Sequence, residues 1–363
     1  KDASAEKLYR QAAKLYADKD LFALKTALDK LKSDFPNSQA VTDTNHDPSF
    51  ATMSKAVANL GVLITVRQDG KGDCKTIREA VLSAPPKSVI EVQDSGTYHP
   101  GNITLKGSTL RGAKGKWPVL SGGKHGMVNI NLSGEGCRVE GLVILDSGAN
   151  YSININNKNT QKCRLRRLII VKRNGWCHIP EDVQGTLLDG CLIIKSAPAR
   201  LPGSHRTGVV TMRNCIWLNG DPESKAPVLF ENCFLPSFKA GAPTEFERCT
   251  VLGNLTFPDT GGSVLNSIVG RITVTGAEVK IGFCNMLNKK PVAGSAKPDK
   301  TCFSIDPQFR NPAKYDYNLK PSSPCRRKGD GGKGVGCVYT PEMIQILKKA
   351  LQLRKDKILK WDD

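Results

Sequence analysis

A four-residue unit recurs through the middle of the chain and restricts its fold more than any other feature. The unit is an apolar residue, a variable residue, usually Gly, Asn or Arg, and then Leu or Cys. It occurs as Val139-Glu140-Gly141-Leu142, Leu165-Arg166-Arg167-Leu168, Leu188-Asp189-Gly190-Cys191 and Met212-Arg213-Asn214-Cys215. It continues as Phe230-Glu231-Asn232-Cys233, Phe246-Glu247-Arg248-Cys249, Val264-Leu265-Asn266-Ser267 and Ile281-Gly282-Phe283-Cys284. Successive units are 26, 23, 24, 18, 16, 18 and 17 residues apart. Coils this short leave no room for a helix between strands, which excludes a doubly wound α/β sheet. A propeller blade needs about 40 residues, and leucine-rich repeats keep a fixed Leu-x-Leu frame that is missing here. The strict six-residue period of a left-handed hexapeptide helix is missing too. What remains is an all-β solenoid, a right-handed parallel β-helix in which each coil lays its strands on those of the coil below. The 34 Gly and 21 Pro of the 363 residues then supply corners, and the modest 39% hydrophobic content suits a core one coil wide.

The repeat also explains the cysteines. Of twelve, Cys191, Cys215, Cys233, Cys249 and Cys284 share the fourth place of the unit, which Leu142, Leu168 and Ser267 hold in other coils. A place that accepts Leu or Cys is interior, where a free thiol behaves as a small hydrophobe. Parallel rungs about 4.8 Å apart point their Cβ atoms the same way, which suits packing better than bridging. Outside the stack, Cys325 and Cys337 flank a Gly-rich loop and could pair, as could Cys163 with Cys177 and Cys284 with Cys302. Thiols in a row do not converge on a point, so no metal site is expected, and no cofactor.

Outside the repeat the character is helical. Leu8, Ala12 and Leu15, then Leu21, Leu24, Leu28 and Leu31, give residues 4–35 the period of a helical hairpin resembling one tetratricopeptide-type pair. The expected organisation is that hairpin over 1–36, a linker with a short helix over 37–60, the β-helix over 61–337 and a C-terminal amphipathic helix over 338–363. In the last segment Thr340 is placed to cap and Pro341 to start the helix. It is expected to cap the final coil.

Residues 67–105 contain Gly72-Asp73-Cys74-Lys75-Thr76-Ile77, a helical stretch over Ile77–Ser83, a strand over Val89–Val92 and Gly96-Thr97-Tyr98. This order resembles the opening of pectin methylesterases and related members of the pectin-lyase-like superfamily. Thr109-Leu110-Arg111-Gly112 and Pro118-Val119-Leu120-Ser121-Gly122 continue the likeness. Asp306-Pro307-Gln308-Phe309 with the stretch from Tyr315 to Pro324 resembles the ends of bacterial surface β-helix proteins. The resemblance implies the fold and a helix over 77–83 closing the first coil, capped by Asp73 or Thr76. It does not carry activity: the esterase, polygalacturonase and calcium-lyase motifs are absent, so no catalytic residue is assigned.

Charge narrows the partner. With 53 Lys and Arg against 34 Asp and Glu, the net charge of +19 creates a field felt by polyanions. The densest run, Lys158, Lys162, Arg164, Arg166, Arg167, Lys172 and Arg173, contains no acid. It is expected to form a positive ribbon suited to the carboxylates or sulfates of a polysaccharide, which guanidinium forks bind in two-pronged fashion. Three excursions, 173–184, 195–208 and 219–227, follow on consecutive coils and add Trp176, His178, Arg200, His205 and Arg206 to the candidate ligand-binding set. Nucleic-acid motifs are absent, and the aromatics do not interleave with the cations as base stacking requires. The longest apolar runs, such as Val62–Val66 and Leu168–Val171, are strand-sized, so no transmembrane segment is expected. The start at Lys1 reads as a processed N-terminus. The resulting expectation is a periplasmic, secreted or cell-surface β-helix that binds acidic polysaccharide or another polyanion without catalysis. The rivals are a divergent polysaccharide lyase or carbohydrate esterase, and a fibre or coat subunit that self-assembles through its solenoid ends.

Overall fold

The computed structural model describes residues 2–18, 21–58, 61–123, 126–145, 152–155, 160–172, 177–178, 183–195, 199–201, 209–220, 222–224, 226–288 and 291–360. The chain divides into two units, Lys1–Leu63 with Ala84–Val89, and Ile64–Ser83 with Ile90–Asp363.

The first unit holds the helices α1 (Asp2–Ala17), α2 (Leu21–Asp34), α3 (Gln39–Thr42) and α4 (Phe50–Val57). Ala12, Leu24, Leu28 and Leu31 form its core, as their helical spacing predicts. Ala40, Met53 and Val57 join the same core, so the short helices after the hairpin pack with it. The Ser49 hydroxyl starts α4 by accepting from the Thr52 N–H at 3.1 Å.

The second unit is a right-handed parallel β-helix. Each coil contributes a strand to a first, a second and a third face in turn. The first face is an eleven-stranded sheet running from Leu63–Val66 and Val89–Val92 to Gly262–Leu265 and Val279–Gly282. Its register is unbroken from coil to coil: Val139, Leu165, Leu188, Met212, Phe230, Phe246, Val264 and Ile281 stack partner on partner. All eight are buried, so the first place of the repeat unit points inward.

The third place is a corner. Gly141, Arg167, Gly190, Asn214, Asn232, Arg248, Asn266 and Phe283 all adopt the left-handed conformation, with φ between 50° and 65°. Gly does this freely and Asn at small cost, which explains their recurrence; the other side chains cost about 1–2 kcal/mol. The fourth place returns inward, and its thiols find a partner there. Cys191, Cys215, Cys233, Cys249 and Cys284 each donate to the carbonyl of the first-place residue one coil below, at 3.4, 3.6, 3.2, 3.5 and 3.2 Å. A thiol therefore fills the volume of a small apolar side chain and also donates to a strand carbonyl of the coil below. None of the twelve cysteines forms a disulfide, so Cys325 with Cys337 and Cys163 with Cys177 stay unbridged.

Helix α5 (Ile77–Ser83) is closed at its start by a reciprocal pair: the Glu79 N–H donates to the Thr76 hydroxyl and the Thr76 N–H to the Glu79 carboxylate, both at 3.2 Å. Asp73 instead accepts from the Thr65 N–H and hydroxyl, both at 2.7 Å, which ties the turn to the edge strand.

Helix α6 (Pro341–Lys355) begins as expected, with the Met343 N–H donating to the Thr340 hydroxyl at 3.2 Å. Its location differs from the expectation. Met343, Ile346, Leu347, Ala350 and Leu353 pack with Val119, Val143, Ile169, Leu192 and Ile216 of the second face, along the flank of earlier coils and not over the final one. The reason lies in strands such as Leu192-Ile193-Ile194 and Ile216-Trp217-Leu218, which are apolar on both sides and need cover outside as well as inside. Corner residues guide the chain back to that flank: Gly336 donates to the Asn266 carbonyl at 2.8 Å and Val338 to the Asn232 amide oxygen at 2.7 Å. Further along the same second-face column, Leu319, Cys325 and Val335 pack on Ile268.

Candidate functional site

With the second face covered by α6, the first and third faces carry the polar chemistry. On the first face, the outward second place of the repeat unit stacks in register as Arg111, Glu140, Arg166, Asp189, Arg213, Glu231 and Glu247. The sign alternates for most of this column. Arg111 pairs with Glu91 at 2.8 Å, Arg213 with Glu231 at 2.6 Å, and Arg166 lies 3.7 Å from Asp189. Rungs about 4.8 Å apart would repel strongly if like charges were stacked, so alternation is the stable arrangement. The Glu231 carboxylate raises the Arg213 pKa further above its ordinary value.

Within the cationic run 158–173, the described cations have different surroundings. Lys162 sits in the left-handed region before the first-face strand and pairs with Glu135 at 2.7 Å, both exposed. Arg166 lies between the acids of two neighbouring coils, and the Arg167 guanidinium stands over the Trp117 ring, 5.5 Å from its centre. Arg164 is different: it is exposed, and its register partners are Arg138 and Leu187. Neither Arg138 nor Arg164 forms an ion pair among the described residues. Lys172 ends the second-face strand Ile169–Lys172, in register with Lys195. Lys158, Arg173, Trp176, His205 and Arg206 lie outside the described residues.

The third face begins with the parallel strands Asn102–Lys106, Asn129–Ser133, Ile153–Ile155 and Cys177–His178. Ile103, Ile130, Ile153 and Cys177 stack inward. In the alternate column Thr104, Asn131, Asn154 and His178 are register partners. Their amides form a ladder. Asn131 Nδ2 donates to Asn102 Oδ1 and to the Ile103 carbonyl at 3.3 Å, while Asn154 Nδ2 donates to Asn131 Oδ1 at 3.2 Å. In the next coils the third strand of the winding is Ala199–Leu201, Pro222–Ser224 and Phe238–Ala240, which join the second-face sheet through Thr250–Pro258. There Arg200 is in register with Glu223, and Glu223 with Lys239, whose ammonium lies 3.6 Å from the Glu223 carboxylate.

Among its described residues, each of the three excursions read from the sequence carries one short third-face strand, Cys177–His178, Ala199–Leu201 or Pro222–Ser224. His178 and Arg200 belong to this face, whereas Lys162, Arg164 and Arg166 belong to the first face and its approach. Arg138 and Arg164 open their first-face strands, so they follow the corner that joins the third face to the first. Sequence reasoning missed Arg138 and the ladder of Asn102, Asn131 and Asn154. The signal for the charge column was present in the second place of the unit, where Glu, Arg, Asp, Arg and Glu succeed one another.

Amide groups that both donate and accept suit hydroxyl recognition, and an unpaired guanidinium suits carboxylate or sulfate. Among the described residues no cluster of metal-ligating side chains occurs.

No protein-family model matches the chain, and no curated protein matches it. Its backbone is similar to that of solved polysaccharide lyases. Pectate lyase Pel9A is 12% identical, with a TM-score of 0.48 over 78% of this chain and 96% of the other. The PL6 family alginate lyase AlyGC is 12% identical, with a TM-score of 0.32 over 77% of this chain and 59% of the other, and a mutant of that enzyme is 13% identical with a TM-score of 0.29.

Proposed function

We propose that this is an extracytoplasmic β-helix that binds an acidic polysaccharide or a similar polyanion without acting on it. The binding surface is the third face with its corner to the first. The observation that carries this reading is the pair Arg138 and Arg164, exposed register partners on adjacent coils that form no ion pair among the described residues. Elsewhere on the first face each arginine of the outward column has a carboxylate on a neighbouring coil, so an unopposed pair is a departure from the local pattern. A polymer lying along the solenoid axis would meet one guanidinium per coil, about every 4.8 Å. The neighbouring Asn and Thr column offers hydrogen bonds to its hydroxyls. The reading places the protein in the periplasm or at the cell surface, where such polymers are met.

The test is binding to polygalacturonate, alginate and a sulfated glycan at two salt concentrations, with absorbance from unsaturated uronate followed in the same samples. Wild-type protein is expected to bind at least one polymer, more weakly at high salt, without producing unsaturated product. The double change Arg138→Ser with Arg164→Ser is expected to weaken binding about tenfold or more at low salt. Unchanged binding by the double variant would remove the proposed surface, and absorbance growth would establish a lyase.

A further inference from the structure

Disulfide chemistry needs one thiol that an outside oxidant can reach and a second close enough to complete the bond. Ten of the twelve cysteines are buried; Cys74 and Cys302 are partly exposed. Cys74 has access, but the side chain that hydrogen-bonds with it is the Ser83 hydroxyl, and burial pushes its thiol up. The rungs Cys191, Cys215 and Cys233 have thiol neighbours but are sealed in the core. Cys302 combines access with a neighbour: its thiol lies within hydrogen-bonding reach of Cys284. The backbone places them together, because Asn285 and Phe303 form an isolated parallel bridge and the Phe303 N–H donates to the Cys284 carbonyl at 3.0 Å.

Neighbouring parallel residues lie about 4.8 Å apart, inside the Cα range of about 4.4–6.8 Å that a disulfide requires. The regular rungs are held on both sides by continuous ladders that keep their Cβ atoms parallel. Cys302 instead lies on a segment joined to the last coil by isolated bridges at Pro298 and Phe303, so its backbone can turn the sulfur toward Cys284. Its thiol also donates to the Ile281 carbonyl at 3.7 Å, as the rungs donate to the carbonyls below them, and lies 3.9 Å from the Asp299 carboxylate. Hydrogen bonding with Cys284 holds the Cys302 thiol below its usual value, which favours attack by its thiolate.

We propose that Cys302 and Cys284 are an oxidisable pair that forms a disulfide by exchange with a small-molecule disulfide such as oxidised glutathione. The Cys302 thiolate attacks one glutathione sulfur, the glutathione S–S bond breaks, and one glutathione leaves as its thiol. The Cys284 thiolate then attacks the Cys302 sulfur and expels the second glutathione. The two protein thiols lose two electrons and two protons, and one oxidised glutathione becomes two reduced ones. The bond fastens the last repeat unit to the segment that follows it at the end of the solenoid.

The test treats the folded full-length chain with oxidised glutathione, alkylates the remaining thiols and maps them by mass spectrometry. Wild-type protein is expected to become about 2 Da lighter, with Cys284 and Cys302 bridged, while the other rungs alkylate only after unfolding. Cys284→Ser should fold, since Ser267 already holds the same place in another coil, and should stop at a glutathione adduct on Cys302, about 305 Da heavier. Cys302→Ser should give neither product. The proposal falls if wild-type protein keeps glutathione on Cys302 without bridging. It also falls if another cysteine pair bridges first, or if the folded chain does not react at all.

Discussion

On the second face Ile169, Leu192 and Ile216 lie under α6, while on the third face Thr104, Asn131 and Asn154 form a polar column from the same winding of the chain. Both faces share the backbone of the solenoid, so the difference is in the side chains alone. Alternation of apolar and polar residues leaves one side of a strand open to water, whereas an unbroken apolar run requires cover on both. The second face is therefore a docking surface already occupied by the chain's own C-terminal helix. The third face keeps its outward side polar, and that contrast makes it the better place to look for a ligand.

The largest expected effect tests the covered face. Ile346→Ala removes a buried side chain from the layer between α6 and the second face, and should cost about 2–5 kcal/mol in urea unfolding. A loss below about 1 kcal/mol would mean that α6 is only loosely applied. On the third face, Asn131→Ala removes the central amide of the ladder and leaves Asn102 and Asn154 without it. About 1–3 kcal/mol of stability should be lost, together with weaker polysaccharide binding. Loss of stability with undiminished binding would make the ladder a structural device and not a recognition surface. The smallest effect belongs to the first face: Arg213→Ala breaks a part-exposed pair and should cost about 0.2–1 kcal/mol, less at high salt. An effect that salt does not reduce would argue against an ion pair as its origin.

The repeat unit was legible because its places have different physical demands. Val139 and its seven equivalents must be apolar, the third place must tolerate a positive φ, and the fourth must be small or apolar. A parallel stack repeats those demands once per coil. The cysteines were legible for the same reason, though their hydrogen bonds to the carbonyls below were not, since an acceptor one coil away is invisible along the chain. The surroundings of Arg166 were not legible, because Glu140 and Asp189, which answer it, are each more than 20 residues away in sequence and one rung away in space. Trp176, His205 and Arg206 fall outside the described residues.

By itself, the order of residues determined the winding: local conformational preference at each corner and inward apolar places set a coil, and identical needs in successive coils set their stacking. Only the tertiary structure decided which side of each coil is open, where α6 lies, which cations keep a carboxylate and which thiol has both access and a partner. Those properties depend on residues brought together from different coils, at separations that local pattern does not encode.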